Sequence, residues 1–518
     1  MKHFAFAAAA IAVVGTLVTF ACSVHETGGC EDDQNCPFAD SGMNGVDSSS
    51  PPDSGANEAA ADAGADVSAR CDPSQTPAEN ACVIDDTLAI FVAPTGNDAN
   101  AGTKEHPVAT LARGLALAAA TSNHRVIACA DTYDEAVSIS GGSADGGIAE
   151  AAGVSLFGGV VCPGADAGTP WSYSGAKVIV APSAHGYALS VTGFGAAAVD
   201  IEDVEFDAQG GTAPGESSIA GFIDSSSNVI LRSVKLVAGA GSNGADGTLT
   251  PVTYPAAMSL QGGAGAGNSG GAGCSFTCPA GGVTSGGTGG AGGGAGGDGT
   301  PGSPLLDGGA GQTALQCAGG NGTMLAGANA SPSGDGAGAM NVGSVAGTTW
   351  QPAAGLSGTA GTPGQGGGGG GGSATGAGGG GGCGGCGGAG AGGGQGGGAS
   401  VALFVLSSAK TIVLDSCTLI AVSGGAGGAG VAGQAGQTLG GAHGGSSPGG
   451  GGCQGGNGGA GGAGGGAGGV SAGILYQGDV PNLMNTAPMF ASPGADGGAG
   501  GGAGNSGLAG MSAATISL

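Results

Sequence analysis

The sequence predicts an all-β solenoid, a stack of parallel-strand rungs interrupted by long glycine-rich inserts. An internal repeat predicts the stack. Ile201-Glu202-Asp203-Val204-Glu205-Phe206 returns as Leu231-Arg232-Ser233-Val234-Lys235-Leu236 and again as Leu414-Asp415-Ser416-Cys417-Thr418-Leu419. The glycine content predicts the inserts: 128 of 518 residues are Gly, against about 7% in an ordinary globular chain. Only 27 of them precede residue 236, so two building materials share one chain. The charge balance narrows the function. Charged residues make up 9% and the net charge is −27, which argues against an ordinary α/β enzyme and against nucleic acid, whose phosphates require Lys and Arg.

Residues 1–21 read as a signal peptide, with a short basic start and an uncharged apolar run from Phe4 to Phe20. The run ends in Ala21-Cys22, a small residue before Cys, which is similar to a bacterial lipoprotein cleavage box. Cys22 is the expected lipidation site; the alternative is plain secretion with Cys22 in a disulfide. Either route places the mature chain where disulfides persist. Residues 22–86 read as an acidic disordered tether, since from 23 onward they hold 14 Asp and Glu against Arg70 alone. Cys30 with Cys36, and Cys71 with Cys82, are spaced to close local loops.

Residues 87–238 read as the first coil with an N-terminal cap. A strand at Ile90-Phe91-Val92 runs into the turn Gly96-Asn97-Asp98-Ala99-Asn100-Ala101-Gly102-Thr103, and an alanine-rich helix follows from Ala112. Together with Val126-Ile127-Ala128-Cys129 and Val154-Ser155-Leu156-Phe157-Gly158-Gly159, this stretch resembles the N-terminal module of right-handed parallel β-helix proteins, the pectin-lyase-like superfamily. The resemblance implies a right-handed coil and no particular activity, because that coil serves lyases, hydrolases, adhesins and inert stalks. Asn97, Asp98 and Asn100 form a candidate Ca²⁺ loop, with a plain self-bonded turn as the simpler alternative.

The repeat reads as two short strands meeting at a bend, and stacking the copies gives four inward ladders: Val199/Val229/Ile412, Ile201/Leu231/Leu414, Val204/Val234/Cys417 and Phe206/Leu236/Leu419. A single rung cannot bury these side chains, whereas a stack can. In the same register Glu202, Arg232 and Asp415 align on the outside, as do Glu205 and Lys235. Glu202, Arg232 and Asp415 are therefore the candidate catalytic cluster of a polysaccharide lyase or hydrolase; cross-rung ion pairs explain them equally well.

The glycine-rich segments run 239–399, 422–470 and 491–518, separated by coil rungs at 400–421 and 471–490, and the last ends in a short strand. Each leaves after Leu236, Leu419 or Phe490 and returns through a phrase opening on Ser400, Ser471 or Ser512; Ser218 opens the phrase after the shorter 207–216 loop. The inserts should therefore stack on one side of the coil. Gly-Gly-x triplets such as Gly289-Gly290-Ala291-Gly292-Gly293-Gly294 suit the threefold polyglycine-II helix, which is close to polyproline II in geometry; a floppy Gly/Ala coil is the alternative. They resemble the PGRS-type repeats of some bacterial surface proteins in composition. No Gly-Lys-Ser/Thr follows any run, so they are not phosphate loops.

Of the 14 Cys, Cys417 sits on an inward ladder. Cys129 with Cys162 is placed to tie early rungs, and Cys274 with Cys278 to close a short loop. Cys383-Gly384-Gly385-Cys386 has the spacing of half a zinc site, but no second pair or His completes it, so disulfides are favoured. No cofactor or metal is expected. The functional expectation is an exported, lipid-anchored structural or adhesive protein of the outer membrane or cell surface, meeting a membrane through its lipid and, outside the cell, polysaccharide or other surface proteins. The alternatives are a lyase or hydrolase acting on an extracellular glycan, and ice or glycan binding by a glycine-rich face.

Overall fold

The computed structural model describes residues 71–518 apart from 123, 143–152, 164–169, 196, 294–326, 332–333, 409–411, 439, 446–457, 459–461 and 503. Cys22, Cys30, Cys36, the signal peptide and most of the tether lie outside the described residues.

The protein is mostly β, built on three sheets of parallel strands. The first runs β1 (Ile90–Val92), β2 (Arg125–Cys129), β5 (Val154–Val161), β9 (Val199–Glu202), β12 (Val229–Arg232), β19 (Ile412–Asp415) and β22 (Asn482–Met484), with β6 (Ser172–Ala176) antiparallel on β5. The second runs β3 (Thr132–Tyr133), β7 (Val178–Val180), β10 (Val204–Asp207), β13 (Lys235–Val237) and β20 (Thr418–Ile420). The third runs β4 (Val137–Ser140), β8 (Leu189–Thr192), β11 (Ser218–Asp224), β18 (Ser400–Ser408), β21 (Ser471–Gly478) and β23 (Ser512–Ser517). From β2 to β21, leaving aside β6 and the two hairpins, the chain visits the sheets in a fixed rotation, first to second to third; the last circuit meets the second sheet only through a Met489–Ile420 bridge.

The register follows the repeat. Leu231 sits between Ile201 and Leu414, Val229 between Val199 and Ile412, and Leu236 between Phe206 and Leu419. All nine side chains are buried in one continuous core. The bend between first and second sheets requires a left-handed residue, and Asp203, Ser233, Ser416 and Asn485 take it with φ of 55°, 50°, 55° and 49°. Short polar side chains tolerate that region best. The rungs stay bonded through the bend: Asp203 N–H donates to Arg232 O and Ser233 N–H to Asp415 O.

Helix α1 (Leu111–Ala120) packs against β1, β2 and β4 at the first end of the stack. Thr110 caps it by accepting from Arg113 N–H. The Glu135 carboxylate accepts from the Leu111 and Ala112 N–H groups, placing negative charge at the positive end of the helix dipole.

A column of serines fixes where the glycine-rich segments leave and return. Ser218, Ser400, Ser471 and Ser512 are register partners at the start of the third sheet. The Oγ of Ser218 accepts from Gly239 N–H, that of Ser400 from Val422 N–H, and that of Ser471 from Ala491 N–H. Each donor lies at the exit of a glycine-rich segment, so exit and return are bonded at one place.

Beyond that column the glycine-rich chain forms ladders with a period of three. Gly241, Gly244 and Gly247 donate to Ser423, Ala426 and Ala429 in parallel sense. Gly361, Gly364, Gly367 and Gly370 donate to Gly388, Gly385, Gly382 and Gly379 in antiparallel sense. Strand 378–389 has five such neighbours, adding 260–263, 271–274, 287–290 and 434–444 to 361–370. At three positions of that strand the packing leaves no room for a side chain: a Cβ at Gly381, Gly384 or Gly387 would lie 2.0, 1.8 or 1.9 Å from the carbonyl oxygens of Gly367, Gly364 and Gly361.

Two hairpins interrupt this regularity. β14 (Ser275–Thr277) pairs with β15 (Val283–Ser285), and β16 (Gly343–Ala346) with β17 (Thr349–Pro352). The second brings Trp350 onto the outer face of the third sheet, against a cluster containing Phe222, Phe404 and Leu475.

Two expectations need correction. Cys274 and Cys278 do not bond each other; the disulfides are Cys274–Cys383 and Cys278–Cys386. In a threefold chain, residues three apart share a face, so Cys383 and Cys386 both face the 271–278 strand, whereas a local loop would have pulled that strand out of register. Residues 71–86, expected as disordered tether, are folded. Cys71–Cys82 closes them, Ile84 packs with Phe91, Ile127 and Phe157, and Lys104 Nζ donates to Ile84 O.

Candidate functional site

Alternation along β9 sends Val199 and Ile201 into the core and Asp200 and Glu202 outward. On β12 the outward residue in register with Glu202 is Arg232, and on β19 it is Asp415. The backbone thus aligns the sequence-predicted column, but the side chains do not act as one group. Arg232 Nη1 takes both carboxylate oxygens of Asp200, diagonally across the sheet. Asp415 accepts from the Ser416 hydroxyl at 3.1 Å. Lys235 and Glu205 do pair directly.

Glu202 departs furthest from the expected exposed position. It is 9% exposed, flanked on β5 by its register partner Phe157 and covered by the disulfide-closed segment 71–82. Arg125 fastens that cover. Its guanidinium donates to the carbonyls of Pro73 and Gln75 and stacks over the Phe157 ring at 4.8 Å. The Thr76 hydroxyl lies against Glu202 closely enough to favour the ionised carboxylate, yet Thr76 Oγ1 and Glu202 Oε2 are both buried and neither makes a well-formed hydrogen bond. Burial pushes the Glu202 carboxyl up to about 7, with Asp203 and Asp200 adding to the rise and Thr76 and Arg232 opposing it. Burial also raises Asp200, against the pull of Arg232.

At the adjoining bend Asp203 accepts from Tyr173 Oη at 2.8 Å and lies 3.4 Å from Lys177 Nζ. Lys177 also donates to Ser233 O, so this trio braces the left-handed turn across two rungs. Burial, then Asp203, pushes the Tyr173 hydroxyl upward. The Cys129–Cys162 disulfide borders a cleft of about 210 Å³ whose one carboxylate is Asp131.

The proposed Ca²⁺ loop uses its side chains internally. Asp98 accepts from the Ala109 and Thr110 N–H groups and from the Thr110 hydroxyl. Asn97 accepts from Ala99 N–H, and Asn100 donates to Pro107 O. This is turn chemistry.

Sequence reasoning missed Asp200, Arg125 and Thr76. Asp200 was legible, since it alternates with Glu202 on the same outward face. Arg125 and Thr76 were not, because Arg125 meets Pro73 and Gln75 across about fifty residues and Thr76 meets Glu202 across a longer stretch still.

Four disulfides among the described residues, Cys71–Cys82, Cys129–Cys162, Cys274–Cys383 and Cys278–Cys386, place the protein in an exported, oxidising environment. Among the described residues no helix is long and apolar enough to cross a membrane. No protein-family model and no curated protein matches the sequence. One solved structure, described as a rhamnogalacturonan lyase, matches with 15% identity and a TM-score of 0.16, over 28% of this chain and 35% of that one. The chain thus spans about a third of that structure's length, and a likeness at that score says nothing of activity.

Proposed function

We propose that the protein is an exported cell-surface structural or adhesive protein, held by a lipid on Cys22, in which a pectin-lyase-like right-handed β-helix carries a slab of PGRS-like polyglycine-II helices. The observation supporting this most directly is the period-three backbone lattice, in which one glycine strand is bonded to five neighbours. The slab's cohesion comes from backbone hydrogen bonds and two disulfides rather than from a pocket shaped for a substrate. The fastening of Glu202 beneath segment 71–82 and the commitment of Arg232 to Asp200 support a structural use of the charged face. Contact with extracellular polysaccharide or other surface proteins through the slab belongs to this reading.

Detergent-phase partitioning of the full chain and of Cys22→Ala tests the anchor. Wild type should enter the detergent phase and Cys22→Ala should not; unchanged partitioning removes the lipid from the proposal. Incubation with acidic polysaccharides, followed by the ultraviolet absorbance of unsaturated products, tests the structural role. A rise in that absorbance that disappears in Glu202→Gln would replace it with lyase activity.

A further inference from the structure

We propose that the disulfide-closed segment 71–82 is a proton-gated strap, closed over the outer face of the first sheet while Glu202 is protonated and released as that carboxyl ionises. Thr76 and Pro77 are the buried residues of the strap, and Val83 and Ile84 anchor the chain just beyond its disulfide. Arg125 holds the Pro73 and Gln75 carbonyls, and Thr76 lies against Glu202. Closing it buries Glu202 Oε2 without a well-formed hydrogen bond and with only the Thr76 hydroxyl beside it, an arrangement that costs less for a neutral carboxyl than for a charged one.

The surrounding charges reinforce that asymmetry. Asp200 and Asp203 stand beside Glu202 on the same rung and raise its affinity for a proton. Tyr173 approaches from β6, close enough for Glu202 to disfavour its ionisation. Glu79 brings a further negative charge on the strap, felt at Asp200 and Arg232. The two nearby cations are already committed, Arg232 to Asp200 and Arg125 to the strap carbonyls and the Phe157 ring. An ionised Glu202 therefore gains no full counter-charge while the strap is closed. When the strap lifts, water reaches both oxygens.

The direction follows from linkage. In the closed state the carboxyl titrates near 7, against 4.5 for the free group. Closure is thus fully favoured below about 4.5 and is lost progressively as pH rises through about 7, by up to tenfold per unit in between.

Hydrogen exchange read by mass spectrometry on the oxidised full-length chain tests the strap, with each amide corrected for the intrinsic pH dependence of exchange. Between about pH 5 and pH 8, protection of peptides within 71–82 should fall roughly a hundredfold, while Val229–Arg232 amides stay unchanged. Glu202→Gln should keep the strap protected across that range. Thr76→Val, a change confined to the strap, removes the hydroxyl that favours the ionised form in the closed state and should deepen the loss of protection at pH 8. A pH-independent strap in wild type, a fall that persists in Glu202→Gln, or a Thr76→Val strap as well protected as wild type at pH 8 would each overturn the proposal.

Discussion

Adding one methyl group to Gly384 should damage this protein more than most core truncations would. The Cβ of Gly384→Ala would lie 1.8 Å from Gly364 O and 2.2 Å from Gly364 C, about 1.5 Å or more inside ordinary van der Waals contact. Neither strand can yield freely. Gly364 N–H donates to Gly385 O at 2.8 Å. The buried Thr284 hydroxyl bridges the pair, accepting from Gly384 N–H at 2.8 Å and donating to Gly364 O at 3.1 Å. Overpacking costs about 1–3 kcal/mol, and two disrupted hydrogen bonds add about 1 kcal/mol each. Stiffening of the unfolded chain returns about 0.4–1 kcal/mol, for a net loss of about 2–4 kcal/mol. Gly445 supplies the control. It belongs to the same lattice, its carbonyl accepting from Gly265 N–H, but a Cβ there meets nothing within 4 Å. Gly445→Ala should stabilise by about 0.4–1 kcal/mol. Urea unfolding, with hydrogen exchange localising the loss to 361–398, measures both. If the two variants shift the midpoint alike, the glycines are there for flexibility and the close-packed account is wrong.

The coil makes two further predictions. Leu231→Asp buries a carboxylate between Ile201 and Leu414 and should cost several kcal/mol, whereas Arg232→Ala strands only the half-buried Asp200 and should cost about 1–3 kcal/mol; the urea midpoints should fall in that order. Cys417 is free and buried, with its Sγ donating to Leu231 O at 3.2 Å and burial pushing its thiol up to about 11. It should resist alkylation at neutral pH until the chain is denatured, and Cys417→Val should cost less than about 1.5 kcal/mol; mass spectrometry that finds folded-state labelling there would contradict its inward placement.

The sequence by itself determined the rungs. Apolar residues two apart, a small polar residue at each bend and a returning six-residue phrase leave one register in which Ile201, Leu231 and Leu414 all face inward, because a slip of one residue would turn every side chain outward. The serines that reopen the coil were visible for the same reason, since they recur at a fixed place in the phrase. Tertiary structure decided the rest. Which glycine strand lies beside which could not be read from triplets that are nearly identical to one another; Cys383 and Cys386 meet Cys274 and Cys278 only after the strands have been ordered. The cover over Glu202 was hidden for a different reason. Segment 71–82 has the acidic, weakly apolar composition of a tether, and its order depends on Arg125, which becomes its neighbour only when β2 joins the first sheet. Local pattern governs which way a side chain points, whereas the chain distant in sequence that comes to lie on top of it governs whether that side chain is solvated, paired or strained.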